Sequence, residues 1–91
     1  MNQNADSTVT QDYLKAVWAL EEWGGSASVT ALAKRMQVAN STASENVSRL
    51  VEMGLLVHQP YKPVTLSELG QRRALVMVRR HRILETFLVQ E

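Results

Sequence analysis

Residues 29–57, VTALAKRMQVANSTASENVSRLVEMGLLV, hold two short apolar-periodic segments with a tight connection between them. In the first, Leu32, Ala33 and Met36 fall on one side, Lys34 and Arg35 point outward, and Thr30 is the expected N-cap. In the second, Ala43, Val47, Leu50 and Val51 face inward, and Gly54 stands where a helix is stopped at its C′ position. The connection runs through Val38, Ala39 and Asn40, and small Ala33 lets the two helices cross closely. Two short helices joined this way form a helix-turn-helix pattern.

Upstream, Tyr13, Ala16, Val17 and Leu20 recur at helical spacing, widened by Leu14, Trp18 and Trp23, until Gly24 and Gly25 interrupt the pattern. Downstream, LLVHQ reads as a strand and VTL as its partner, joined by the turn PYKP, whose prolines fix φ and discourage edge pairing. Ser67 can cap a last helix running from about Glu68 to the end, with Leu69, Val76, Met77, Ile83, Leu84, Phe87 and Leu88 on its apolar side. The expected fold is mainly α with a small β-hairpin wing: a winged helix-turn-helix of three helices, a two-stranded wing and a long C-terminal helix. Residues 1–9 are expected as a flexible leader, 10–67 as the winged domain and 68–91 as a linker helix.

Composition sets limits. Ninety-one residues with 45% hydrophobic content suit one small domain, and the polar start MNQNADST shows neither a signal peptide nor any membrane-spanning run. With no cysteine, disulfides, thiolate metal sites and cysteine nucleophiles are excluded, in accord with an expected cytoplasmic location. The net charge of +1 is unevenly spread: residues 1–29 carry one lysine against four acids, whereas residues 30–82 carry nine lysines and arginines against three glutamates. A basic central segment in a near-neutral chain suits a phosphate-facing surface, and equally a solvated helix face.

The outward residues of the third helix, among them Ser41, Thr42, Ser44, Glu45 and Arg49, are mostly short and polar. A helix entering a major groove about 12 Å wide benefits from small hydroxyl side chains in its first turn, which let its backbone approach phosphates and base edges. The same hydroxyls are ordinary at a helix start. Lys34, Arg35, Arg49 and Lys62 are the natural phosphate partners, and the helix start at Thr30 can offer backbone N–H groups. Glu45 belongs to this surface by position, able to accept from a cytosine amino group.

On the last helix His81 and Glu85 stand four residues apart, on one flank with Ala74 and Val78 and away from the Leu69, Val76, Ile83 and Phe87 stripe. Such a pair can hold one ion or form a surface pair. Together the segments DYLKAVWALEE, VTALAKRMQVANSTASENVSRLVEMGLLV, LSELGQ and RRHRILETFL resemble the diphtheria-toxin-repressor family of iron- and manganese-dependent repressors, over nearly all of residues 10–91. The resemblance implies a winged helix that binds operator DNA and a following helical domain that forms a homodimer and supplies further metal ligands. It carries ligand roles onto His81 and Glu85, through the HRxxE element, and onto Asp12, before the YL pair. Aspartate at that position resembles the manganese regulators and methionine the iron regulators, in keeping with the preference of hard Mn²⁺ for carboxylate oxygen; Fe²⁺ is the alternative. Lys15 stands where some manganese regulators carry a glutamate ligand, a departure from their binuclear design.

The ending FLVQE has neither a glycine nor an asparagine stop, so the last helix is expected to continue beyond Glu91, where the remaining metal ligands would lie. Three ligands are too few to close a Mn²⁺ shell of about six, so these residues alone are expected to bind metal weakly. His58 and the two tryptophans receive only structural roles. The leading expectation is a metal-dependent, manganese-responsive repressor acting on double-stranded operator DNA. Its rivals are a metal-independent winged-helix regulator and a winged helix used for protein contact through PYKP. No nucleophile–base pair, glycine-rich phosphate loop or closed metal motif offers an enzyme's reaction centre.

Overall fold

The computed structural model describes the backbone of residues 8–89 and the side chains of residues 8–79. Along the chain run α1 (Thr8–Glu22), α2 (Val29–Met36), α3 (Asn40–Glu52), β1 (Leu56–Val57), β2 (Thr65–Leu66) and α4 (Glu68–Val89). The strands pair antiparallel, Leu56 opposite Leu66 and Val57 opposite Thr65. This is the mainly helical, winged architecture expected from the sequence. The pairing is shorter than LLVHQ suggests: His58 and Gln59 lie outside the strand, because the turn at Pro60 and Pro63 begins before the ladder can extend.

The first three helices end alike. After α1 the N–H of Gly24 bonds to the carbonyl of Glu21 (3.2 Å) and that of Gly25 to Leu20 (2.9 Å); after α3 the N–H of Gly54 bonds to Val51 (3.0 Å) and that of Leu55 to Leu50 (2.9 Å). Each is a Schellman closure, which satisfies two carbonyls that the helix leaves orphaned. Gly24 and Gly54 take the positive φ it requires, as expected, whereas after α2 the same position is Gln37, at φ 60°.

Starts are less legible. α1 already includes Thr8 and Val9, two residues inside the expected leader. α2 begins at Val29, and its N-cap is Ser28, whose Oγ accepts from the N–H of Ala31 at 3.0 Å; Thr30 is an exposed first-turn residue and not the cap. Both hydroxyls suit a cap, and the extended backbone at Ser28 decides between them. Asn40 opens α3 instead of belonging to the connection.

Tyr13, Leu14 and Val17 of α1, Leu32 of α2, and Val47 and Leu50 of α3 meet in one core, closed below by Leu55, Leu56, Val64 and Leu66 around the wing. Ala33 and Ala43 are buried where α2 and α3 pack, as the small residues require. Four residues expected to face inward do not: Val51 is exposed, Trp23 is 84% exposed just after α1, and on α4 Leu69 and Val76 are exposed while Gly70 and Ala74 are buried. The α4 face is set by its entry. The Oγ of Ser67 accepts from the Gly70 N–H (3.0 Å) and donates to the Gly54 carbonyl (2.6 Å), while the Ser67 N–H bonds to the Leu55 carbonyl (3.0 Å). This anchorage turns Gly70 onto the wing base, and Ala74, one turn on, follows it into the core.

Candidate nucleic-acid interface

α3 lies on α2 with Ala43, Val47 and Leu50 beneath it, so its other side is free. Ser41, Thr42, Ser44, Glu45, Ser48, Arg49 and Glu52 are all exposed there. Lys34 and Arg35 are exposed in the last turn of α2, immediately before the connection into α3, and Lys62 is exposed at the wing tip. Every residue expected at a DNA surface is therefore accessible, Thr30 included, and five of them share α3.

Two features of this surface escaped the sequence. The α2 start is partly used up by Ser28, whereas Ala39, the N-cap of α3, makes no side-chain cap, leaving first-turn N–H groups of α3 unclaimed by such a cap. The signal was present: alanine before Asn40 has no side-chain acceptor. The second is Asn46, half-buried on α3, whose Nδ2 donates to the hydroxyl of Tyr13 on α1 (3.1 Å) and whose Oδ1 accepts from the Arg49 guanidinium. Helical spacing puts residues 46 and 49 on adjoining turns, but no local pattern connects either to Tyr13, which lies 33 residues away.

The wing tip is a tight turn in which the Lys62 N–H bonds to the Gln59 carbonyl (3.1 Å). Pro60 sets the second position, and Tyr61, at φ 62°, takes the third, which in a type II turn normally belongs to glycine. Tyr61 is fully exposed there, beside Lys62.

Asp12 lies on α1 next to buried Tyr13, with its carboxylate half-exposed and 3.9 Å from the Lys15 ammonium. An exposed pair at this distance contributes at most a few tenths of a kcal/mol, roughly 0.2–0.5, and leaves the carboxylate free to turn. Among the described residues no three histidine, aspartate or glutamate side chains cluster as a metal site. The α4 backbone carries positions 81 and 85 as helix, but the side chains of His81 and Glu85 lie outside the described residues, as do those of Phe87 and Leu88. Asp12 fits a hard divalent cation as an accessible oxygen donor.

A helix backed by a second helix and flanked by a hairpin, with its polar face open and lysines and arginines around it, defines a winged helix-turn-helix of the DNA-binding class. The chain belongs to the iron dependent repressor family: residues 7–64 match the model of that family's N-terminal DNA binding domain. It is 34% identical over 89 residues to the iron-dependent repressor IdeR of Mycobacterium tuberculosis, covering 98% of this chain and 38% of the relative. It is 31% identical over 78 residues to the HTH-type transcriptional regulator MntR of Lysinibacillus sphaericus, covering 86% of this chain and 56% of that one. Among solved structures it is similar to a manganese-dependent transcriptional repressor in complex with manganese (TM-score 0.77, 52% identity, 89% of this chain and 37% of the other). It is also similar to the manganese regulator SloR (TM-score 0.70, 31% identity, 89% and 38%). This chain thus spans little more than a third of the length of the iron-dependent repressors. No described helix is long and apolar enough to cross a membrane.

Proposed function

We propose that this chain is the operator-binding part of a homodimeric, manganese-responsive transcriptional repressor, with α3 as the element that enters the major groove. The observation that carries this reading is the exposed α3 surface of Ser41, Thr42, Ser44, Glu45 and Arg49 on a helix whose other face is core. The short hydroxyl side chains and the uncapped first turn let the α3 backbone come close to phosphates. Lys34, Arg35 and Lys62 hold the flanking backbone and set register, Thr30 adds a polar contact at the α2 start, and Arg49 reaches a base edge or an adjacent phosphate.

Asp12, His81 and Glu85 would hold the metal, joined by ligands from a following segment. A divalent cation supplies there a positive centre shared by donors from two helices. Asp12 contributes a carboxylate from α1 and the other two contribute from α4, so their joint ligation fixes the angle between the helices and, through a dimer, the spacing of two recognition helices. The aspartate at position 12 supports manganese, with Fe²⁺ as the alternative. Supporting this are the neighbours themselves, which include both iron- and manganese-dependent repressors. One observation favours a second reading, a metal-independent regulator: the partner of Asp12 is Lys15, a cation already in place.

DNA binding separates from protein docking by charge. A duplex selected from a random pool by the full-length protein, titrated with Lys34→Glu, is expected to bind about tenfold more weakly with a salt slope reduced by roughly one. Unchanged affinity and slope would leave α2 outside the interface.

A further inference from the structure

Arg49 is exposed on α3, and among the described residues it has no carboxylate partner. Its guanidinium is held instead by the neutral amide of Asn46, and that amide is held in turn by Tyr13, which is buried in the core at 2% exposure. The two contacts together fix the amide. Turning it over would place its NH₂ against the guanidinium, donor against donor, so the oxygen faces Arg49 and the nitrogen faces the Tyr13 hydroxyl. Arg49 therefore keeps its full charge for an outside anion while losing the rotational freedom that a long, rotamer-rich side chain forfeits on binding. The far end of the chain is Tyr13, adjacent in sequence to Asp12 on α1.

We infer that Asn46 is a positioning residue: it presents the Arg49 guanidinium to DNA and fastens that guanidinium, through Tyr13, to the helix that carries Asp12. Where α1 goes, Arg49 goes with it. A change in the seat of α1 on the core moves the Tyr13 hydroxyl, and with it the only group that orients the Asn46 amide from the α1 side among the described hydrogen bonds. The inference rests on the proposed role of α3 in DNA binding and goes beyond it, because neither Asn46 nor Tyr13 is itself placed at the DNA.

The test is a double-mutant cycle on the full-length protein, using the selected duplex with Mn²⁺ present and fluorescence anisotropy as the readout. Asn46→Ala is expected to weaken binding about three- to tenfold, the net effect of losing one ordinary hydrogen bond. In an Arg49→Ala background the same substitution is expected to cost almost nothing, because the group it positions is gone. Tyr13→Phe keeps the core volume and is expected to show the same dependence on Arg49 with a smaller loss. Thermal melts of each variant register any effect on folding, which would persist in the Arg49→Ala background. Losses of equal size with and without Arg49, or no loss in Asn46→Ala, would overturn the inference while leaving α3 as the DNA element. Failure of the wild type to bind any duplex would overturn the DNA-binding reading and this inference with it.

Discussion

At the scale of single residues, two side chains occupy backbone positions that favour glycine, Gln37 at φ 60° and Tyr61 at φ 62°. Left-handed backbone costs a residue with a Cβ about 1 kcal/mol relative to glycine. Tyr61 is fully exposed, so it recovers nothing by burial. Tyr61→Gly is expected to stabilise the protein by about 0.5–1 kcal/mol, raising the thermal midpoint by a few degrees; a lower midpoint would show that the tyrosine ring holds the wing. Residue chemistry was readable from sequence where one local rule governs, as at Gly54 and Ser67. It failed where two residues satisfy the same rule, as with Ser28 and Thr30, since backbone conformation chooses between them and composition does not. The residues proposed to face DNA were legible as exposed polar positions. The Asn46 bridge was not, because Tyr13 reads as an apolar core residue and its hydroxyl finds its partner only when α1 and α3 pack.

At the scale of elements, α4 crosses the wing base closely at Gly70. A Cβ on Gly70 would lie 2.0 Å from the carbonyl oxygen of Leu55, a backbone atom fixed by its own bond from the Ser67 N–H. Gly70→Ala must push α4 off the wing, and a loss of at least about 2 kcal/mol is expected, lowering the melting midpoint by roughly 10 °C. Gly25→Ala, whose Cβ would meet nothing nearer than 3.5 Å, serves as the control and is expected to cost under about 1 kcal/mol. Wild-type-like stability for Gly70→Ala would mean that α4 enters differently. Sequence periodicity misjudged this helix for the same reason. Leu69 and Val76 looked like the buried stripe, yet Gly70 and Ala74 are buried, with the expected Met77 packed beside them, because close approach selects small residues over large ones. Ala74 is buried and Val78 partly buried, so in its described part the flank that periodicity set apart from the apolar stripe is the one α4 turns toward the core.

At the scale of the whole molecule, order of elements carried more than any motif. Three helices, a hairpin and a long helix were legible from apolar periodicity and turn residues, and the packing of α1 against α4 follows from closing the core between them. The proposed metal site is legible only through family resemblance, because residue 12 lies far in sequence from residues 81 and 85 and no local spacing connects them. In the proposed function, joint ligation by α1 and α4 governs DNA affinity. It is tested most directly by measuring the Kd of the full-length protein for its selected duplex with Mn²⁺ and with EDTA, in wild type and in Asp12→Ala. Mn²⁺ is expected to tighten wild-type binding by about tenfold or more, within the range of a coupling energy of about 1–3 kcal/mol, and Asp12→Ala to remove the gain without lowering the metal-free affinity. Equal wild-type affinity in Mn²⁺ and EDTA would contradict it.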